Sequence, residues 1–352
     1  MLVQEEDVYS NFINSIKSDV TKKVYEYNLR LFMEFCGIDR YEDLIGLHNQ
    51  IIPYLISVRD KKLSYNSIST RLSAIYHFYD MNDIILNKKK IKMFKGEYTR
   101  KVVDRAYTHD EISRILNVSD LRLKSMILLM ATAGLRIGAI PDLRLSNLQK
   151  INSVYRILAY PGANEEYFTF CTPECTSYID AYLEFRTKNG EDLNKDSYLI
   201  RDQFDITDLE QIRNKSKRMS ISGIESLVRV VLLKSGIRDV KHTPNYTRQI
   251  VAQAHGFRKF FTTQLVNSKV NPEIREMLLG HKIGLTGCYY RPTEQDMLNE
   301  YLKAVNLLTI NEENRLKLKL EQTIQIEKTQ LETLKSDFEK FKQEVLKQRS
   351  KR

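Results

Sequence analysis

No stretch of this chain approaches the roughly 20 uninterrupted apolar residues that a bilayer crossing requires. The acidic N-terminus, MLVQEEDVYS, also lacks the basic-then-apolar run of a secretory signal. Both absences predict a protein that works in the cytoplasm with no membrane partner. Cysteine is scarce: Cys36, Cys171, Cys175 and Cys288 make up the whole set. Only Cys171 and Cys175 lie close together, and no second Cys or His pair follows at zinc-ligand spacing, so no metal site is predicted. The four read as thiols of core or strand positions, and a reducing compartment leaves them without disulfides.

The 352 residues are enough for two domains and an appended segment. With 42% hydrophobic and 28% charged residues, the composition supports a buried core and argues against global disorder. Lys and Arg exceed Asp and Glu by 55 to 45, a net charge of +10 that favours a polyanionic partner. The excess is concentrated. Asn87 to Arg105 (NKKKIKMFKGEYTRKVVDR) carries eight Lys or Arg against two acids, and RNKSKR covers Arg213 to Arg218. Taken singly, either cluster also reads as a solvated loop.

Residues 1–86 read as a helical domain. VTKKVYEYNLRLFMEFC places Val24, Tyr27, Leu31 and Phe35 at spacings of three and four, as one apolar helix face demands. IIPYLISVR and SYNSISTRLSAIYHFYDM predict further helices, the second capped by Ser64 or Asn66. The basic stretch then reads as an exposed, extended linker over 87–107, able to lie along a phosphate backbone through Lys88, Lys89, Lys90, Lys92, Lys95, Arg100 and Lys101.

From 108 to 305 the pattern predicts a mainly α domain with a small sheet. Thr108 and Glu111 form a capping-box signature, and LRLKSMILLMATAG reads as a buried helix. VYRILAY and EYFTFC, flanking the turn PGAN, predict a β-hairpin. Helices return with SYIDAYLEFRT, SGIESLVRVVLLKSG, the segment from His255 to Ser268, and NPEIREMLL, where Asn271 caps, Pro272 opens and Gly280 follows the end. Over 306–352, Ile310, Leu320, Ile324, Leu331, Leu334, Phe338, Phe341 and Val345 occupy the a and d positions of one heptad register, interrupted by Glu313, Lys317 and Glu327. That predicts a coiled-coil helix, pairing in an oligomer or packing on the body of its own chain.

Three polar interruptions of apolar sequence stand out. Arg136 follows Gly134 and Leu135 in ATAGLRIGAI; His255 and Arg258 are three apart in HGFRKFFTT; His281, Tyr289 and Tyr290 fall in LLGHKIGLTGCYYRP. Each has an ordinary structural reading on its own: Arg136 as a helix C-terminal charge, His255 as a helix-start residue, Tyr290 as a half-buried aromatic.

Together, and in this order, they resemble the tyrosine recombinases, or phage integrases. That family is marked by an arginine in a Gly-Leu-Arg turn, a His-x-x-Arg helix, a Leu-Gly-His turn and a tyrosine nine residues beyond that histidine. Since 281 + 9 = 290, the resemblance selects Tyr290 over Tyr289. The motifs span Arg136 to Tyr290, and the flanking helical domain and linker extend the likeness over most of the chain. Tyr-Tyr-Arg-Pro and the Lys- and Ile-rich composition look most like the archaeal members.

The resemblance implies a site-specific recombinase that cuts and rejoins double-stranded DNA, with no cofactor, ATP or metal, as a homo-oligomer (a tetramer on paired sites) at the nucleoid. Tyr290 would be the nucleophile, Arg136 and Arg258 the phosphate clamp, His255 the acid/base and His281 a hydrogen-bond donor to the phosphate. The chemistry suits these residue types. Guanidiniums grip non-bridging oxygens with forked hydrogen bonds, and a phenol of pKa about 10 needs a base or a positive field to attack at neutral pH. A type IB topoisomerase-like relaxase, or a DNA-binding protein that kept the fold with weak catalysis, are the other readings. Two features depart from the family pattern. The hairpin turn from Tyr160 to Tyr167 lacks the lysine that relatives use to protonate the leaving oxygen, with Lys150 and Arg156 the nearest basic residues. Ala139 stands where many relatives have a glutamate.

Overall fold

A computed structural model of the chain describes residues 8–98, 104–213, 217–238, 251–284 and 289–349, without the side chains of residues 213, 322, 325, 326, 337, 341 and 343–349. It divides into two compact units, 1–101 and 102–352.

The first unit is all helical: α1 (Val8–Asn14), α2 (Asp19–Cys36), α3 (Ile51–Asp60), α4 (Tyr65–Met81) and α5 (Lys88–Met93), with a 3₁₀ segment over Glu42–Gln50. Ser18 and Ser64 open α2 and α4 by accepting from the backbone N–H three residues on, which satisfies one of the free donors of each first turn. Phe12, Leu29, Phe32, Leu55, Leu72 and Phe78 form its core. Two expectations fail in this unit. The buried side of α2 is Asn28, Leu29, Phe32 and Met33, whereas Val24, Tyr27 and Phe35 are exposed. Both sets satisfy a spacing of three and four, and packing selected the other one. The basic stretch is also not extended at its start. Asn87 caps α5, and its Ile91 is buried in the first core. Lys89, Lys90 and Lys92 are exposed on that helix, Lys88 pairs with Asp80 at 2.6 Å, and Lys95 lies 3.6 Å over the Tyr65 ring. Arg100 and Lys101 lie outside the described residues.

The second unit follows the expected mainly α pattern with a small sheet. Thr108 and Glu111 make the capping box of α6 (His109–Asn117). Nearly every residue of α7 (Leu121–Thr132) is buried, as its unbroken apolar run requires. The hairpin is present as β2 (Val154–Ala159) and β3 (Tyr167–Phe170), antiparallel with Ala159 opposite Tyr167, and β1 (Leu148–Ile151) adds a third strand in the order β1-β2-β3. Further helices are α8 (Pro173–Lys188), α9 (Leu209–Arg213), α10 (Ile221–Lys234), α11 (His255–Asn267), α12 (Pro272–Leu278), α13 (Glu294–Leu308) and α14 (Glu312–Arg349). Helix α11 packs on α7, and its Phe257, Phe260, Phe261 and Leu265 are all fully buried. Behind it, the Tyr301 hydroxyl of α13 donates to the Thr132 carbonyl at 2.8 Å, so this fully buried phenol has its polar end paired.

Helix α14 starts on the body of this unit and then leaves it. Glu174 accepts from the N–H groups of Ile310 and Asn311 at 2.6 and 2.9 Å, and Leu318 packs on the core. Beyond that, Leu320, Ile324, Leu331, Leu334 and Phe338 are exposed. The side chains of Phe341 and Val345 lie outside the described residues. Among the described residues no helix is long and apolar enough to cross a membrane, and no cluster of metal-ligand side chains is present.

Candidate active site

Two helix ends build the site, each turned by a glycine in the left-handed region. Helix α7 ends at Ala133 and Gly134 (φ +63°), which directs Leu135 into the core and Arg136 out of it. Helix α12 ends at Leu278 and Leu279, followed by Gly280 (φ +62°). There the His281 N–H returns to the Glu276 carbonyl at 3.0 Å and the Gly280 N–H to the Met277 carbonyl at 2.8 Å, a Schellman closure that folds His281 back over the last turn. Neither glycine tolerates a side chain. A Cβ on Gly134 would sit 2.3 Å from the Phe261 ring, and one on Gly280 would sit 2.4 Å from the Tyr167 ring.

Arg258, on α11, joins the two turns. Its guanidinium donates to the carbonyls of Gly134 and Leu279 and meets His281 Nε2 at 3.0 Å. The residue is buried, and burial pushes its guanidinium below the usual arginine range. Arg136 donates to the Gly280 carbonyl at 3.1 Å and lies 5.9 Å from the centre of the Tyr167 ring. Both arginines thus grip consecutive carbonyls of the turn that carries His281. His281 Nδ1 in turn lies 2.6 Å from Glu276 Oε2, and Arg275 Nε donates to Glu276 Oε1 at 3.1 Å. Burial pushes the Glu276 carboxyl up, but the bonds from His281 and Arg275 outweigh it and hold it below the usual carboxylate range.

His255 opens α11 one turn before Arg258 and is exposed. It lines a cleft of 410 Å³ with Arg258, His281, Glu276, Lys259 and Asp104. Tyr290 is half-buried with its ring on the core of this unit, whereas Tyr289 is 89% exposed. The chain after Tyr290 is anchored by the capping box of Thr293 and Asp296 and by Arg156, whose guanidinium lies 2.8 Å from Glu294. The structure therefore brings Arg136 and Arg258 onto the turn that carries His281, and sets His255 in one cleft with Arg258 and His281.

Neither basic residue near the hairpin serves the turn: Lys150 pairs with Asp180 at 2.7 Å, and Arg156 with Glu294. Ala139 is buried in the core, a packing position. Three neighbours were not singled out in the sequence: Glu276, the Lys259–Asp104 ion pair at 2.6 Å, and Tyr167 beneath the Gly280 turn. Glu276 had a signal. It is the third residue from the end of a helix closed by Gly-His, and the Schellman geometry places such a residue against the histidine.

A cleft lined by Arg258, His255 and His281, with Arg136 on the carbonyl beside it, on a mainly helical unit with a three-stranded sheet, is the arrangement expected of the tyrosine recombinase class. The family model described as "Phage integrase family" matches residues 105–296, more than half of the chain, and the chain belongs to that family. It is 24% identical to the tyrosine recombinase XerA of Pyrococcus horikoshii over 296 residues (84% of this chain, 90% of that protein). It is 23% identical to the tyrosine recombinase XerC of Leptospira interrogans over 313 residues (83% and 91%). Among solved structures, it shares its fold with the Tn1549 transposon integrase in complex with circular intermediate DNA. That likeness has a TM-score of 0.52 at 17% identity and covers 84% of this chain and 99% of the other. It shares it also with the XerH site-specific recombinase bound to its difH substrate, at a TM-score of 0.52, 15% identity and 74% coverage of each chain.

Proposed function

We propose that this chain is a site-specific recombinase acting on double-stranded DNA in the cytoplasm, at the nucleoid, through a covalent bond on Tyr290. The observation that carries the reading is the clamp of Arg136 and Arg258 on the His281 turn, inside the segment that matches the family. The two guanidiniums stabilise charge on the non-bridging oxygens, where phosphoryl transfer most needs help. The Tyr290 oxygen attacks phosphorus, its proton passes to His255, and the bond from phosphorus to the 5′ oxygen breaks. That oxygen leaves as a hydroxyl with a proton from the cleft. The hairpin supplies no lysine for this step; Lys259 lines the same cleft, in an ion pair with Asp104 that it would have to leave to supply the proton. A 5′ hydroxyl then attacks the 3′-phosphotyrosine and regenerates Tyr290. One phosphodiester is exchanged for another, so the scheme needs neither ATP nor metal. Lys89, Lys90 and Lys92, exposed on α5, suit contacts to the DNA backbone.

A nicked suicide duplex carrying the cognate site, in which the 5′ fragment diffuses away, tests this reading. The covalent adduct is expected to accumulate, and peptide mapping after nuclease digestion should place it on Tyr290. An adduct on Tyr289, or none, overturns the assignment.

The exposed stripe of α14 suits a second copy of the same helix. At about 1.5 Å per residue its 38 residues extend about 57 Å, and Ile324, Leu331 and Phe338 repeat every seven. Pairing of such tails would hold recombinases together on two sites, as a tetramer requires. Because Glu174 and Leu318 anchor the first turns, truncation after Glu321 spares the body. The truncated protein should bind one site in a gel shift within about twofold of the full chain, a change on the order of 0.4 kcal/mol, and lose the paired-site complex. Equal loss of both complexes would assign the helix to folding or to direct DNA contact.

A further inference from the structure

We infer that Glu276 is a positioning residue for the reaction: it fixes the tautomer of His281, so that Nε2 faces Arg258 and the phosphate site. The inference rests on the function proposed above for its catalytic consequence, and on geometry alone for the tautomer.

What each partner can donate or accept decides the tautomer. A guanidinium has donors and no acceptor, so the contact of 3.0 Å between Arg258 Nη2 and His281 Nε2 requires Nε2 to offer its lone pair. The proton of the neutral ring is then on Nδ1, 2.6 Å from Glu276 Oε2, where it is donated to the carboxylate. Two neighbours on different helices select the same tautomer. The carboxylate is itself oriented, because its other oxygen accepts from Arg275, and the Schellman bond from the His281 N–H to the Glu276 carbonyl ties the two residues through the backbone. Freedom in the imidazole is removed at three points.

The consequence appears when a phosphate enters. Arg258 turns its free donors to the non-bridging oxygens and releases Nε2. A proton taken from solvent onto Nε2 makes the ring a donor to the phosphate, and the Glu276 carboxylate offsets the new positive charge. The ionisable groups around His281 are Glu276 and Arg275 on α12, Arg258, His255 and Lys259 on α11, Arg136 after α7, Asp104, and the Tyr167 phenol of β3 beneath the Gly280 turn. Apart from the phenol and the two carboxylates, all are cationic or can become so, and Asp104 is taken by Lys259. Glu276 is therefore the anion available to support a charged His281.

The test uses the full-length protein with histidine ¹⁵N labels, in wild-type, Glu276→Gln and Glu276→Ala forms. Without DNA, wild-type His281 is expected to show a protonated Nδ1 and an unprotonated Nε2, with the Nδ1 proton slow to exchange; in Glu276→Ala, where Arg258 still meets Nε2 but Nδ1 has lost its carboxylate, that proton is expected to exchange faster. On a saturating suicide duplex, Glu276→Gln should cleave on the order of tenfold more slowly. Its rate should also fall off at a lower pH than that of the wild type, while gel-shift affinity and melting temperature stay unchanged. An Nδ1 proton that exchanges as slowly in Glu276→Ala as in the wild type overturns the inference, as does a wild-type rate and pH profile in Glu276→Gln. If the wild type forms no adduct, the proposed function fails, and the exchange measurement still decides the role of Glu276.

Discussion

Replacing Arg258 with lysine is expected to lower single-turnover strand cleavage by roughly 10³-fold or more, in the range seen when a charge-stabilising arginine is removed from a phosphoryl-transfer site. Charge is conserved in this substitution, so the expected loss comes from geometry. The guanidinium of Arg258 meets three acceptors on two separate turns: the carbonyls of Gly134 and Leu279 and the Nε2 of His281. An ammonium on a flexible stem carries three donors around one atom and cannot span that arrangement while keeping a fork for the phosphate. The carbonyls of Gly134 and Leu279 would lose a buried partner, which costs about 1–3 kcal/mol for each unsatisfied group. Gel-shift binding should weaken only a few-fold, roughly 1 kcal/mol, because one cation among many contributes little to total phosphate contact. Cleavage by Arg258→Lys within tenfold of the wild type would show that the guanidinium fork is not what the phosphate requires.

How far the sequence discloses this site depends on the kind of information needed. Arg136, Arg258 and His281 stood out as polar interruptions of apolar sequence, but each alone had an ordinary structural reading; their joint order and spacing, through the resemblance to the tyrosine recombinases, marked them as candidates. The three come from segments far apart in the chain, and their mutual contacts depend on α11 packing against α7, which no local pattern states. The apolar face of α2 shows the opposite limit. Val24, Tyr27 and Phe35 obey helical spacing as well as Leu29, Phe32 and Met33 do, and only packing decides between the two stripes. Helix α5 was hidden by its charge. Three consecutive lysines suggested a loop, yet the cap at Asn87 and one apolar anchor, Ile91, suffice to fold it. Strand β1 was missed because LQKI is short and half-polar, and it is held by pairing with β2 rather than by propensity.

The second large effect is expected away from the active-site cleft, at Glu191. Glu191→Ala should destabilise the catalytic unit by about 3–5 kcal/mol in a urea titration, through two stranded cations rather than one lost contact. Arg186 and Arg201 are fully buried and both pair with this carboxylate. Arg186 donates to it twice, at 2.6 and 2.9 Å, and to the carbonyls of Tyr198 and Leu199. Arg201 reaches it at 3.0 Å and donates to the carbonyls of Gln211 and Ile212. The triad thus pins α8, the 198–201 segment and α9 together. Burial pushes the Glu191 carboxyl up, but the hydrogen bonds and charges of Arg186 and Arg201 outweigh it and hold it below the usual carboxylate range. With the folded value depressed, the group's stability contribution is complete above the ordinary carboxylate pKa of about 4.3 and is lost as pH falls through the folded value. Acid unfolding of Glu191→Ala should accordingly be less steep below about pH 4 than that of the wild type. The double substitution Arg186→Met with Glu191→Leu still leaves Arg201 buried without its carboxylate, and should remain destabilised. Adding Arg201→Met removes the last buried charge and should recover most of the loss, because a well-packed apolar triad commonly equals or exceeds an ionic one in stability. If Glu191→Ala unfolds within about 1 kcal/mol of the wild type, or if the triple variant is no more stable than the single one, the triad does not hold these elements by charge.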